Sequence, residues 1–286
     1  MLMQNPYINS GIYLVASYIV IWMVERLLFL FDKYVFKKME FYQNTYDLIK
    51  KRCKDPSKLD LMIEEDDQKR RWYLVHAIAN TVIVWTVFPD FLNILLDPFS
   101  AITTEFNTLP LAIAISLHLF HIITSRKFMD MVDWLHHLIS CLFVGLVSLV
   151  FLKSPLINYK MFFLCGLPGG IDYYLLALGK YGVVDRMTEK RINLYLNMWI
   201  RMPGILYGCF TAYICYLYQQ HNYNILVYIL VVFLNMYNSI YFAGKVTMNY
   251  GARLMLDDIQ QKNKEKINVP KEDDDNIPEI SPTKED

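Results

Sequence analysis

The chain alternates between long apolar blocks and shorter polar connections. About twenty apolar residues in a helix span the hydrocarbon core of a bilayer, which is about 30 Å thick. Each block therefore predicts one transmembrane helix. The predicted spans are 12–31, 72–96, 108–124, 134–152, 156–179, 194–218 and 223–245. The fold class they predict is an all-α polytopic membrane protein with about seven transmembrane helices.

The distribution of Lys and Arg predicts the orientation of these helices. No Lys or Arg precedes the first span, whereas residues 32–71 carry eleven, and Arg126 and Lys127 follow the third span. Positive residues favour the cytosolic side of a membrane. The N-terminus is therefore predicted to be lumenal or outside and the C-terminus cytosolic, which seven crossings satisfy. Lys153 and Lys160 depart from this alternation.

The same pattern divides the chain into four parts. Residues 1–31 hold the lumenal N-terminus and the first transmembrane helix, and residues 32–71 form a cytosolic amphipathic loop with one or two helices. Residues 72–248 contain the other six spans. Residues 249–286 are rich in Lys, Asp and Glu and contain three prolines, so they are predicted to be a disordered acidic cytosolic tail.

Composition excludes several classes of function. The formal net charge is zero, which argues against a broad surface that binds nucleic acid. The five cysteines are scattered and none belongs to a C-x-x-C pair, so neither a zinc site nor a disulfide framework is indicated. Neither a Ser or Cys nucleophile motif nor a phosphate-binding Gly-rich loop is present.

Histidines gather at one depth of the predicted membrane domain. With a rise of about 1.5 Å per residue, five of the six lie within roughly 10 Å of the cytosolic surface. Polar residues at such positions are costly in hydrocarbon and are functional-site hypotheses by default. The sixth, His221, is predicted to be lumenal. The five are His76, His118, His121, His136 and His137.

Two further spans carry polar residues at a comparable depth. Pro168 and the glycines after it interrupt the fifth span, and Asp172 follows them. A broken helix beside a buried carboxylate often lines a cavity. Arg201 in the sixth span is a candidate partner of Asp172, and Asn238 in the seventh could add a hydrogen bond.

Each of these features also has a structural interpretation. Adjacent histidines point about 100° apart on a helix, so at most one of the pair can face a cavity squarely. The other could bond a carbonyl or Asp133. His118 and His121 could be interfacial, and Asp172 with Arg201 could be a structural ion pair. A mononuclear zinc ion needs only three or four ligands, so a metal has to be weighed, but we predict none.

The residues around the tandem histidine resemble those of a known family. The pattern is Arg126-Lys127-x5-Asp133-x2-His136-His137, followed by Ile171-Asp172-Tyr-Tyr-Leu-Leu-Ala-Leu-Gly-Lys180 and by Arg201-Met-Pro203. It is similar to the TLC domain family, the superfamily of ceramide synthases and translocating-chain-associating membrane proteins. The resemblance covers about residues 70–248.

The chain departs from the ceramide synthases within this family. They carry His-Asp, Ser-Asp and Leu-Glu in the second segment, where this chain has Pro168-Gly169, Ile171-Asp172 and Leu176-Ala177. The resemblance is therefore to a divergent member. It implies a six-helix bundle around a cavity open to the cytosol, one extra N-terminal helix, and a location in the endoplasmic reticulum or another endomembrane.

The function expected from this resemblance is membrane lipid metabolism or homeostasis, with a lipid or acyl chain in the central cavity. As an acyltransferase the protein would use His136 or His137 as general base, Asp172 as orienting group and acyl-coenzyme A as co-substrate. No other cofactor is implied. The residues expected to bind lipid or substrate are His118, His121, Asp133, Arg201 and Asn238.

The alternative is a non-enzymatic lipid-binding, trafficking or translocation-associated protein, in which the polar residues fix helix packing. A ceramide synthase-type N-acyltransferase is less favoured than either. The expected partners are membrane lipids and no nucleic acid. A second copy of the chain, or a cytosolic protein that binds the acidic tail, is a further candidate.

Overall fold

The computed structural model describes residues 6–152, 154–218 and 225–268, with the backbone alone at 6–7, 140–141, 227 and 264–268. Within these residues the chain forms helices and no strands. The helices are α1 (Pro6–Tyr34), α2 (Glu40–Arg52), α3 (Leu59–Leu96), α4 (Ser100–Thr103), α5 (Leu109–Ser125), α6 (Met131–Leu152), α7 (Pro155–Lys180), α8 and α9 (Ile225–Asn268). Helix α8 joins three stretches, Arg186–Tyr195, Leu196–Arg201 and Met202–Tyr218.

Among the described residues, six helices are long and apolar enough to cross a membrane: α1, α3, α5, α6, α7 and α9. Their outer surfaces expose large apolar side chains such as Trp85 and Leu226, which are 77% and 74% exposed. A bilayer would cover such a surface, because an open apolar face this large is unusual in water. The predicted fold class, an all-α integral membrane protein, is confirmed, whereas the number of transmembrane helices is not.

The predicted sixth span, 194–218, lies within α8 but is not among those six helices. It is the polar composition of α8 that lowers its hydropathy. The helix contains Asn197, Arg201, Pro203 and several tyrosines along its length. The number of membrane crossings therefore remains a prediction, although all seven predicted spans fall almost entirely on helices.

The C-terminal part of the chain differs from its prediction. Residues 249–268, expected to be disordered, continue α9 as a helix to Asn268. Extending an existing helix avoids the cost of nucleation, and residues 251–268 contain no proline. An i,i+4 pair between Lys262 and Asp258, 2.8 Å apart, adds a little stability. The remainder of the predicted tail, 269–286, lies outside the described residues, as do Lys153 and His221.

Helix α3 occupies the centre of the bundle and packs against α1, α5 and α7. Ile83, Val87 and Ile94 of α3 are fully buried in this core. Helix α1 also packs along α5, α6 packs against α5, and α8 lies between α7 and α9. Five helices, α5 to α9, line an internal space, and α3 contributes His76 and Asn80 to its wall.

Three of these five helices widen locally. The i→i+5 hydrogen bonding of a π-helix occurs at His136–Phe143 in α6, Phe162–Gly166 in α7 and Leu196–Arg201 in α8. In α7 the widened turn precedes Pro168, which cannot donate the next backbone hydrogen bond. Such stretches are frequent at functional sites. Here they carry His136, Asn197 and Arg201.

The segment 32–71 contains two helical parts, α2 and the start of α3, and it packs on the bundle through a charged cluster. Arg70 is completely buried, and its guanidinium lies 2.6 Å from Asp67 and 3.5 Å from Asp32. Phe36, Tyr42 and Tyr181 pack around the guanidinium. This charged cluster (Asp32, Asp66, Asp67, Arg70, Arg71) connects α1, α3 and the end of α7, where Lys180 pairs with Asp66.

Two tyrosines beside the charged cluster have altered acidity. Burial raises the pKa of Tyr42, and the nearby Asp67 carboxylate raises it further. Burial also raises the pKa of Tyr181 to about 12, with a smaller contribution from Asp32. Both phenols therefore remain neutral over the physiological range, and Tyr42 can donate its hydrogen bond to Asp67 Oδ2 at 3.3 Å.

Candidate functional site

The space inside the bundle is an elongated cavity of about 840 Å³. This volume lies within the range of about 300–1,000 Å³ that is typical of ligand sites. Along α7 the cavity extends past Lys160 and Asp172, and twelve residues of helix separate these two by roughly 18 Å. We call the end at Asp172 the histidine end and the end at Lys160 the lysine end.

The chemistry of the cavity wall changes along this axis. At the histidine end polar side chains predominate: His76, His118, His136, Asp172, Asn197, Arg201 and Asn238. The middle of the wall is apolar and includes Leu111, Ile115, Gly145, Leu164, Val231 and Val232. The lysine end includes Lys160, Tyr216 and Tyr228. The wall therefore matches an amphiphile, with a polar group at an end and hydrocarbon in the middle.

The five histidines predicted to share one depth form a single cluster. The His76 ring stacks on His121 with their centroids 4.0 Å apart. His118 lies 5.0 Å from His137 and 5.7 Å from His136, again between ring centroids. The cluster joins α3, α5 and α6 at the histidine end of the cavity.

The protonated nitrogen of three of these rings follows from their hydrogen bonds. A carbonyl oxygen only accepts, so Nδ1 donates from His118 to Ala114 at 2.6 Å and from His137 to Asp133 at 2.7 Å. His76 Nδ1 likewise donates to the carbonyl of Trp72 at 3.1 Å. Nε2 is then the basic nitrogen in each ring. In His76 it accepts from Trp72 Nε1 at 3.4 Å, and in His118 it is the atom available to a ligand.

The tandem histidines take different positions. His136 lines the cavity, whereas His137 is 2% exposed and packs towards His121 and Trp72. This is the division that a turn of about 100° between adjacent residues predicts. His121 is also buried, and neither of its ring nitrogens has a hydrogen-bond partner among the described residues. A buried polar group without a partner calls for an explanation, and a functional role is one.

Asp172 and Arg201 both lie on the cavity wall. Asp172 Oδ1 is buried without a hydrogen-bond partner in the described part of the chain. Arg201 donates to Asn197 at 3.3 Å and to Asn238 at 3.0 Å, and its guanidinium lies 5.2 Å from the centroid of the Phe242 ring. Asn238 thus meets Arg201 across α8 and α9. A direct Asp172–Arg201 pair remains a prediction.

Asp133 has a local role at the start of α6. Its backbone N–H donates to Asp130 Oδ1 at 2.8 Å, and its carboxylate accepts from the backbone N–H of Asp130 at 3.4 Å. This capping box satisfies backbone donors that the first turn of a helix leaves unpaired. Asp133 is not among the described residues that line the cavity, and ligand binding by it remains a prediction.

Several site residues were not singled out from the sequence. Trp72 packs against His121 with the centroids 4.8 Å apart, and Tyr173 stacks on His76 at 4.2 Å. Asn80 approaches so closely that a Cβ atom added to Gly169 would lie 3.0 Å from Asn80 Nδ2. Only their spacing in the sequence could have indicated these residues: Trp72 is one helical turn before His76, and Tyr173 follows Asp172.

The cavity wall is exposed between α6 and α9 near the histidine end. Leu135 and Ile139 of α6 and Tyr237 and Tyr241 of α9 line the cavity and are all at least 40% exposed. The closer packing of α6 on α9 occurs further along, at Ser148–Leu152. The two helices also touch at this end, where the ring centroids of His136 and Phe242 are 5.8 Å apart. The exposed lining residues beside this contact are the part of the cavity wall that would lie nearest a surrounding bilayer.

Within the described residues, no group of three or more His, Cys, Asp or Glu side chains has a geometry that could hold a metal ion. Together, the fold and the cavity define a helical integral membrane protein with an internal amphipathic cavity. Comparison of the chain with family models, curated proteins and solved structures gives no match.

Proposed function

We propose that this protein binds a membrane lipid or its acyl chain in the cavity and acts in membrane lipid metabolism or homeostasis. The observation that carries the proposal is the cavity, which combines an apolar middle with a polar histidine end and has exposed lining residues on α6 and α9. Hydrocarbon would lie among Leu111, Ile115 and Val232, and a polar head group would meet His118, His136 and Arg201. The resemblance to the TLC domain family points to the same class of ligand.

Acyl transfer is the reaction to which this wall is best suited. A histidine with a basic Nε2 or Nδ1 facing the cavity can remove the proton of an accepting amine or hydroxyl group. His136 is the candidate for that role. The acceptor then attacks the acyl carbon of acyl-coenzyme A, the thiolate of coenzyme A leaves, and the proton held by the imidazole passes to that thiolate. Asp172 would orient the base or the head group, and Arg201 would bind a phosphate of the donor.

The proposal includes an endoplasmic reticulum or other endomembrane location, with the N-terminus lumenal and the histidine end near the cytosol. Acyl-coenzyme A is cytosolic, so a cavity that opens at that end would let a soluble donor and a membrane-embedded acceptor meet. The lysine content of residues 32–71 supports this orientation.

The test is mass spectrometry of the lipids that remain with the purified protein, compared with a variant whose cavity is filled. Gly145 lines the middle of the cavity, and a Cβ atom there would already lie 3.0 Å from Ile115. We expect Gly145→Leu to lose the copurifying amphiphile. Gly244→Leu is the matched control, because nothing lies within 4 Å of a Cβ atom at Gly244. Val232→Phe fills the same space if Gly145→Leu does not fold.

Release of coenzyme A from oleoyl-coenzyme A, in the presence of a total membrane lipid extract, separates the two functional classes. Release by the wild-type protein and its loss in His136→Gln, with the amphiphile still bound, supports acyl transfer. Bound amphiphile without release supports a non-enzymatic lipid-binding protein. Equal lipid in the wild-type and filled-cavity proteins would contradict the proposal itself.

A further inference from the structure

The lysine end of the cavity contains a cation that the proposed chemistry at the histidine end does not use. Lys160 is on the cavity wall, yet its side chain is only 5% exposed. Its stem crosses the face of α8 at Gly208, where a Cβ atom would lie 3.1 Å from Lys160 Cγ. A glycine at this position leaves room for the aliphatic stem. The packing therefore holds the ammonium group in place at this end of the cavity.

The Lys160 ammonium has no hydrogen bond or ion pair among the residues that the structure describes. Its ionisable neighbours are two thiols, Cys209 and Cys215, rather than carboxylates. A buried ammonium without a counter-ion is costly in a membrane domain, and such residues usually mark a binding site or an ion pathway.

A second polar group at the same end also lacks a partner. Tyr228 lines the cavity near the start of α9, and its hydroxyl is buried without a hydrogen-bond partner in the described residues. The same two thiols, Cys209 and Cys215, are its ionisable neighbours, so Tyr228 and Lys160 lie at the same end of the cavity. The Tyr216 ring stacks on Tyr228 with the centroids 5.6 Å apart and fixes its position. An ammonium and a phenol can both donate hydrogen bonds to one acceptor.

We infer that the lysine end is a second head-group site, which binds the anionic oxygen group of an amphiphile through Lys160 and Tyr228. This inference rests on the proposed function, because it takes the hydrocarbon of that amphiphile to lie in the apolar middle. A carboxylate or a phosphate ester has only acceptor oxygens, which matches a site with two donors at one end of the cavity. The cavity then accepts a polar group at each end, about 18 Å apart.

The experiment uses probes that share a hydrocarbon chain and differ in the anionic group. Oleic acid is compared with methyl oleate, and dioleoyl phosphatidate with dioleoylglycerol, by native mass spectrometry of the delipidated full-length protein. The variants are Lys160→Met, which keeps the length of the stem, and Lys160→Arg, which keeps the charge. A hydrogen bond to a charged group corresponds to about a 10- to 100-fold change in affinity.

We expect Lys160→Met to bind the anionic probe about 10- to 100-fold more weakly and the matched neutral probe unchanged, with Lys160→Arg close to the wild-type protein. A loss of affinity for oleic acid identifies a carboxylate as the ligand group, and a loss of affinity for phosphatidate identifies a phosphate. Equal binding of both anionic probes by wild-type protein and Lys160→Met would overturn the inference. If the neutral probes still bind in that case, the lipid cavity itself stands; if no probe binds, the proposed function fails as well.

Thermal unfolding separates this site from a structural role for the lysine. Lys160→Met removes a buried charge without a partner, so the ligand-free variant is expected to unfold at a higher temperature than the ligand-free wild-type protein. Added oleic acid or phosphatidate should then raise the unfolding temperature of the wild type only. A less stable Lys160→Met protein would show that the ammonium has a structural partner, against the inference.

Discussion

Arg70→Met is expected to destabilise the protein by about 3 kcal/mol, the lower end of the range for breaking a buried ion pair. The guanidinium is completely buried and lies 2.6 Å from Asp67, 3.5 Å from Asp32 and 3.8 Å from Asp66. Methionine keeps an apolar stem of similar length, so most of the loss comes from carboxylates left buried without their counter-ion.

The lower end of that range applies because other cations remain in place. Lys37 lies 3.1 Å from Asp67, and Arg71 lies 3.2 Å from Asp32. These pairs keep part of the compensation after Arg70 is removed. Loss of the guanidinium contact with Phe36, at 4.9 Å from the ring centroid, adds about 0.5–2 kcal/mol.

Reversible unfolding in detergent measures the effect, with Lys262→Met as the matched control. Lys262 pairs with Asp258 at 2.8 Å, but the two side chains are 67% and 60% exposed. An exposed pair is worth about 0–1 kcal/mol, so this variant should unfold almost as the wild type does. Asp32→Asn on the Arg70→Met background should recover stability, because one uncompensated charge disappears. Equal stability of Arg70→Met and Lys262→Met would show that the charged cluster does not hold segment 32–71 on the bundle.

The position of this cluster shows where sequence reasoning stops. The charges of residues 32–71 indicate a polar segment with helical parts, but a mixture of signs is also what a solvated loop displays. The partners of Arg70 are distant in sequence: Asp32 is 38 residues before it, and Lys180, which binds the neighbouring Asp66, is 110 residues after it. Only the packing of α1, α3 and α7 brings them together.

The candidate site divides in the same way. Depth in a membrane helix follows from a constant rise per residue, and this is why one depth for five histidines could be predicted. The direction in which each side chain points depends on rotation of the helix, which an almost uniformly apolar helix does not reveal in its pattern. From the sequence it could therefore be predicted that at most one of His136 and His137 faces the cavity, but not which one.

Lys160 illustrates the same limit for charge. In the sequence it is a positive residue that departs from the alternation of charge used to predict the orientation of the helices. Its meaning changes once the structure places it on the cavity wall, buried over Gly208. Helix widening adds a further uncertainty, since a π turn at His136–Phe143 alters the face on which later residues of α6 lie.

Gly204→Ala is expected to destabilise the protein by about 2 kcal/mol or more, against the intrinsic preference of a helix for alanine. A Cβ atom at Gly204 would overlap three atoms of the Phe163 ring, where α8 meets α7. Helix propensity favours alanine by about 1 kcal/mol. Overpacking destabilises a protein by about 1–3 kcal/mol and sometimes more. We expect a cost in the upper part of this range, because the residues around the Phe163 ring hold it in place.

The Phe163 ring has little room to move. It is 8% exposed and packs at centroid distances of 5.1 Å from Phe162, 5.3 Å from Tyr159 and 5.7 Å from Phe91. Displacing one ring therefore disturbs an aromatic cluster that joins α3 to α7. The added methyl group would push α8 away from α7 along the wall of the cavity.

Gly244→Ala is the matched control, because it makes the same chemical change in α9 at a position with nothing within 4 Å of the added atom. There helix propensity acts alone, and we expect a gain of about 0.5–1 kcal/mol. The two substitutions should thus shift the unfolding midpoint in opposite directions. Phe163→Leu combined with Gly204→Ala should be less unstable than the sum of the single variants, since a smaller side chain makes room for the methyl group. Shifts of the same sign for Gly204→Ala and Gly244→Ala would mean that α7 and α8 are not in close contact at Gly204, and the wall of the cavity would have to be placed differently.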